Sequence, residues 1–415
     1  MSMMRNDVVI TGIGAVTPVG NDRESSWEAM LAGRSGIARI TAFDPTGMAT
    51  QIAGEVWGFQ PSDHFDAKRS RRISRFTAFA VVAAREAVAD AKLRIDDDNR
   101  DRVGIVVNAA VAGFDTIEAA TRRVVAEADP SAYFVPYSLA NMPSCEVAID
   151  LGVHGPVNAN ALACASGLYA LLDARRLILA GEADVVICGG TDSAIAPVFI
   201  TGMAAMGALS RNNDDPAGAS RPFDADRDGF VLGEGAVVMV LESAEHARRR
   251  GATAYAAVSG GALTCDAFHV SAPSPTGAYT TAAISTAVGR AGVSPDEIDY
   301  VCAHGTSTKA NDSTESRALR TALGPAADRI AVSSPKSTAG HLLAGAGALS
   351  AMVCALSIRD GAVPPTINLD TPDPECDLDH VAHVARRLPV RTAMANAFGF
   401  GGQNCVAVFT APDEP

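Results

Sequence analysis

Cys164 stands in the run Val157-Asn-Ala-Asn-Ala-Leu-Ala-Cys-Ala-Ser-Gly167, where a short apolar stretch reaches a cysteine and a long apolar segment follows at once. Read as strand and helix, that run puts a thiol at a helix N-terminus. Unpaired backbone N–H groups and the positive dipole end there favour a thiolate, with pKa values of roughly 3.5–7.5 at such sites. Two histidines have equally marked settings: His304 opens His-Gly-Thr-Ser-Thr308, and His341 closes Lys336-Ser-Thr-Ala-Gly-His. A nucleophile with two proton handlers or hydrogen-bond donors outlines a reaction centre.

The elements that must position these residues alternate between strand and helix. Buried-strand runs begin at Asp7, Arg102, Ala183, Gly235, Glu297 and Arg329, and Ser74 to Ala91 has helical character. Gly181 and Gly361 are placed as helix stops, and the whole pattern is α/β. A weak internal repeat runs through it. Gly14-Ala-Val-Thr17 matches Gly261-Ala-Leu-Thr264, and strand–Cys164–helix–Gly181 matches strand–His341–helix–Gly361. Two pseudo-equivalent halves are expected, 1–251 and 252–415, with the first enlarged by an insertion that includes Phe114 to Leu151.

Bulk properties narrow the function classes. The 415 residues are 48% hydrophobic with 37 glycines, enough for a large, closely packed core. A net charge of −13 argues against a nucleic-acid or anionic-membrane partner. No apolar run is long enough to span a bilayer, and the N-terminal residues lack a secretion signal. The eight cysteines show no regular spacing, so reduced thiols in a cytoplasmic protein are expected.

Five segments together carry a resemblance: Ala163-Cys-Ala-Ser-Gly167, Arg221-Pro-Phe-Asp through Gly-Glu-Gly235, His304-Gly-Thr-Ser-Thr308, Pro335-Lys-Ser-Thr-Ala-Gly-His341 and Asn396-Ala-Phe-Gly-Phe-Gly-Gly402. In this order, over nearly the whole chain, they resemble the β-ketoacyl-acyl-carrier-protein synthase II family of the thiolase superfamily. The resemblance implies a thiolase fold, layered αβαβα, and a decarboxylative Claisen condensation. Cys164 would hold the acyl chain. His304 and His341 would serve malonyl decarboxylation, with Lys336 holding them. The N–H groups of Cys164 and Phe400 would form an oxyanion hole, Phe400 would gate the pocket, and Thr306 and Thr308 would bind the phosphopantetheine arm. Val111, Phe114 and a partner subunit's copy of Phe134 would shape the acyl pocket. Lys68, Arg69, Arg71, Arg72 and Arg211, with Arg75 beside them, would dock an acidic acyl carrier protein. No metal or redox cofactor is implied. A homodimer paired around Val157 to Ala161 is expected, or a heterodimer with a homologous subunit.

The chain departs from the family pattern at Leu162, where Thr is usual, at Ser350, where a Glu usually helps hold the lysine, and at Ala109-Ala-Val-Ala-Gly113, where glycines are usual. The extra methyls would reshape the accepted chain. Three rival readings remain. A non-elongating partner subunit would lack the nucleophile. A malonyl decarboxylase would not extend the chain. A thiolase would use a second cysteine, for which Cys405 is a candidate by position.

Overall fold

The computed structural model describes residues 8–412. Five strands come from the first half: β1 (Val8–Val16), β2 (Val103–Asn108), β3 (Val157–Asn158), β4 (Val185–Asp192) and β5 (Gly235–Ser243). Five more come from the second: β6 (Ala256–Cys265), β7 (Tyr300–Cys302), β8 (Ala331–Ser333), β9 (Thr392–Gly399) and β10 (Gln403–Thr410). They form one continuous sheet in the order β8-β7-β9-β10-β6-β1-β5-β4-β2-β3, with a short edge strand, Asp379–His380, outside β8.

Each half has the same internal order: third, second, fourth, fifth, first strand. In each, the second strand is parallel to the third and fourth, and the fifth is antiparallel to the fourth and first. Identical topology in both halves is a duplication. Within the sheet, the described strands of the two halves join where β1 meets β6, through Val9↔Ala257 and Ile10↔Ala256.

Eight helices matter to the site: α1 (Arg75–Asp90), α2 (Phe114–Val125), α3 (Met142–Leu151), α4 (Ser166–Leu179), α5 (Pro197–Ala205), α6 (Ala278–Ala291), α7 (Lys309–Leu323) and α8 (Ala344–Asp360). Helices α1 and α3 cover the outer face of the first half-sheet, and α6 and α7 that of the second. Between the half-sheets lie α4 and α8, packed on each other, which gives five layers, αβαβα. Residues 344–357 of α8 are all buried, so this helix is apolar around its whole circumference, as a central helix must be. Strands β1 and β4 are buried along their full length, which suits near-continuous apolar runs rather than alternation.

The two central helices touch through glycine. A Cβ on Gly167 would sit 2.1 Å from the Ala344 carbonyl oxygen, and one on Gly347 would sit 2.6 Å from the Leu168 nitrogen. Any larger residue forces the helices apart. The first half is enlarged in two places. Residues 109–156 between β2 and β3 carry the expected insertion. Residues 193–234 between β4 and β5 carry a second, where the other half has only the tight turn 400–402.

Candidate active site

Cys164 sits on the loop from β3 into α4, two residues before the first helical residue. The loop is strained: Ala163 has φ +47, a left-handed conformation costly for a residue with a Cβ. Ser166 fastens it, accepting from the Leu162 N–H at 2.8 Å and donating to the Ala163 carbonyl at 2.7 Å. Two backbone N–H groups face the sulfur, those of Phe400 and of Cys164 itself. Gly399 permits this, because a Cβ there would lie 2.6 Å from the Leu162 carbonyl oxygen. The expected helix-terminus thiolate is corrected by burial. Desolvation pushes the Cys164 thiol up to about 11, against the pull of Lys336 and the two N–H groups. The resting group is therefore a thiol at neutral pH.

His304 and His341 meet edge to face, ring centroids 5.5 Å apart. The His341 backbone N–H donates to the Val231 carbonyl at 2.8 Å, and the ring Nδ1 accepts from the Leu343 backbone N–H at 3.2 Å. An accepting Nδ1 puts the ring proton on Nε2, so His341 presents an N–H donor. Burial and the charge of Lys336 hold both imidazoles well below the ordinary histidine value, so both are neutral. Lys336 is itself 2% exposed, and burial lowers its pKa as well.

Sequence reading missed the two carboxylates that hold the His304 loop. Glu315 accepts from the N–H groups of His304 and Gly305, each at 2.8 Å, and from Asn396 Nδ2 at 2.9 Å. Asp312 accepts from the N–H groups of Thr306 at 3.0 Å and Ser307 at 3.2 Å. Both are buried on α7. The available signal was two acids three residues apart, on one helix face directly after the histidine motif.

A cavity of about 340 Å³ gathers Cys164, His304, His341, Thr306, Thr308, Phe400 and Val111. Met203 and Met206, which sequence reading also passed over, line it too. Phe114 stands behind the wall, its ring edge-on to Phe199 at 5.2 Å, in the same apolar cluster as Cys164. Phe134 does not line this cavity; it lies half-buried on the short helix Phe134–Ser138. Cys405 is fully buried in β10 and off the cavity wall, so it offers no base for thiolase chemistry.

Comparison with known proteins decides the family. Residues 5–247 match the family model of the beta-ketoacyl synthase N-terminal domain, and residues 255–370 match that of the C-terminal domain. The chain belongs to the β-ketoacyl synthase family. It is a condensing acyltransferase with the thiolase fold. It is 46% identical to a 3-oxoacyl-[acyl-carrier-protein] synthase 2 of Synechocystis, over 98% of this chain and 99% of that one. It is 45% identical to the synthase 2 of Staphylococcus aureus, over 97% of both chains. Among solved structures it resembles a type II polyketide ketosynthase in complex with its acyl-carrier protein and bound to the hexaketide (TM-score 0.91, 32% identity, 98% of this chain and 100% of that one). The ishigamide ketosynthase/chain length factor superposes equally well (TM-score 0.91, 35% identity, 98% and 100%).

As a β-ketoacyl synthase surface, the basic segment 68–75 needs correction. Arg75 is paired with the buried Glu234 at 2.6 Å. Arg69 pairs with Glu146 at 2.7 Å and with Asp150, and lies over the Phe65 ring. Arg72 stacks on Tyr133 and donates to the Lys68 carbonyl. Sequence cannot separate a structural arginine from a docking one, because the acids that claim Arg69 and Arg75 are distant in the chain. Lys68, Arg71 and Arg211 remain exposed.

Proposed function

We propose that this synthase condenses malonyl-carrier protein with an acyl group held on Cys164, extending a fatty-acid or polyketide chain. The convergence of one thiol, two neutral imidazoles and two backbone N–H groups on one cavity carries the reading. In the first half-reaction Cys164 takes the acyl group from the carrier thioester. The S–C bond to the carrier breaks, the bond to Cys164 forms, and the thiol proton goes to the departing carrier thiol. In the second, the malonyl C–C bond breaks to release CO2. The electron pair becomes a thioester enolate, whose oxygen receives N–H donation from His304 and His341. The enolate carbon attacks the acyl-Cys164 carbonyl, the N–H groups of Cys164 and Phe400 hold the tetrahedral oxyanion, and collapse expels the thiolate. One proton taken from solvent restores the thiol. Thr306 and Thr308, whose hydroxyls are 2.9 Å apart, suit the amides of the carrier arm. Phe400, on a turn at the cavity wall, suits the gating role. The chemistry needs no cofactor beyond that arm.

The synthase works as a dimer in this reading, and in the cytoplasm. Strand β3 ends the sheet with Val157 exposed, and the segment between β2 and β3 also exposes Val124, Val125, Val135 and Ile149. An open edge beside exposed apolar side chains favours pairing with a second copy, which would bring the partner's Phe134 towards the acyl pocket. No described helix is long and apolar enough to cross a membrane.

Intact-mass spectrometry tests the chemistry. After incubation with a panel of acyl-carrier proteins and malonyl-carrier protein, acylation at Cys164 and then a β-ketoacyl product are expected. Cys164→Ala should abolish acylation. Replacing either histidine by Ala should spare acylation and slow decarboxylation by about 3–4 kcal/mol in barrier. Malonyl decarboxylation with no acylation under any primer would refute the reading.

A further inference from the structure

Asp192, the last residue of β4, is a fully buried acid that the condensation mechanism leaves without a role. Successive side chains along a strand face opposite layers. Thr191 turns outward and donates to the Phe76 carbonyl on α1 at 2.7 Å. Gly190 faces the central layer, where a Cβ would meet the Ala344 carbonyl oxygen at the start of α8. Asp192 shares the face of Gly190 and reaches the same turn of α8.

Its carboxylate joins two loops. On one side Oδ2 accepts from the Ala110 N–H at 3.0 Å and Oδ1 from the Val111 N–H at 3.2 Å. These two residues follow β2 and line the cavity. On the other side Oδ2 accepts from the N–H of Ala344, the first residue of α8, at 2.8 Å. Leu343, at the cap position, has no side-chain oxygen to satisfy that end, and a negative charge is favoured at a helix N-terminus. Both loops are strained. Ala112 has φ +59 and the cavity-lining Leu343 has φ +53, left-handed conformations that persist only where the surroundings impose them. Burial pushes the Asp192 carboxyl up to about 7, and the backbone N–H groups pull the other way.

We infer that Asp192 is a positioning residue, which holds the cavity wall at Ala110 and Val111 against the His341 loop and so sets the length of acyl group that the pocket takes. The inference rests on the proposed function, which makes this wall part of the acyl pocket. The three bonds are unequal under substitution. In Asp192→Asn the amide oxygen can keep Ala110 and Ala344, and the NH2 group then meets the Val111 N–H, donor against donor. That variant frees the wall while α8 stays tied. Asp192→Ala frees both loops.

The test is acyl transfer to Cys164 from acyl-carrier proteins of increasing chain length, followed by intact-mass spectrometry at pH 8. With Val111 released, longer chains should be admitted. Asp192→Asn should raise the ratio of kcat/KM for long over short acyl groups about tenfold, the discrimination that one methylene carries in an apolar pocket. Asp192→Ala should raise the same ratio and also slow malonyl decarboxylation more than Asp192→Asn does, because the His341 loop loses its tie. A merely structural role lowers transfer of every acyl group by one factor. An unchanged ratio, or equal decarboxylation in the two variants, overturns the inference. If neither variant folds, hydrogen exchange on the wild type decides. Ala110 and Val111 lie in no helix or strand, so their N–H groups should exchange slowly only through Asp192, and fast exchange there overturns the inference. Failure of the wild type to accept any acyl group overturns the proposed function instead and leaves the exchange result standing.

Discussion

Lys336 acts on three groups at once, in directions that charge alone dictates. It favours the Cys164 thiolate and disfavours both imidazoliums. Replacing it by Met should therefore raise all three pKa values. Cys164 should alkylate more slowly at neutral pH, because less thiolate is present. The histidines should charge at a higher pH, so decarboxylation should gain an acid limb closer to 6.5, the ordinary histidine value. Alkylation rates and a decarboxylation pH profile measured on the same variant check both signs. A variant that changes one and leaves the other alone would show that Lys336 serves only one of the two centres. At this scale the sequence was most informative about reactive residues and least about their state. Cys164, His304 and His341 were legible because chemistry restricts the residue type. The raised thiol was not, because desolvation depends on what the rest of the chain lays over it.

The two central helices position these residues, since α4 begins just after Cys164 and α8 just after His341 and Leu343. Their close contact depends on Gly167 and Gly347. Gly167→Ala should cost about 1–3 kcal/mol in denaturant stability, because backbone faces the new methyl and cannot swing aside. The same displacement should move Cys164 relative to the histidines and reduce acylation by carrier substrate well before unfolding. Equilibrium unfolding and acylation rate, measured together, check it; normal acylation in a destabilised variant would separate packing from alignment. The helices and buried strands were readable from apolar runs and glycine stops, and the repeat was readable around β1 and β6 and around the two central helices. The enlargement at 193–234 was not, because its counterpart is a three-residue turn that leaves no sequence to align. Nor were Asp312 and Glu315 given a role, since a polar helix such as α7 reads as solvated until the His304 loop is seen lying on it.

Over the whole molecule, charge sets the problem of partner choice. The chain carries a net charge of −13, so an acidic carrier protein is repelled at long range and must be drawn in by a local patch. After the internal ion pairs of Arg69 and Arg75 are set aside, Lys68, Arg71 and Arg211 are the exposed cations of the expected surface. Arg211 follows the cavity-lining Ala208 by three residues, which ties that part of the patch to the mouth of the site. Reversing Lys68 and Arg71 to Glu should raise KM for carrier-bound substrates roughly tenfold and leave short thioester mimics unaffected, because the mimics bring no protein surface to the encounter. Salt should raise KM for the wild type by screening the same attraction, and should have less effect on the doubly reversed variant. Reversing Arg69 instead should cost stability before it costs KM, since it leaves the buried Glu146 without its arginine and Asp150 with Arg85 alone. Equal loss on carrier substrates and mimics in the Lys68 and Arg71 variant would place the docking surface elsewhere.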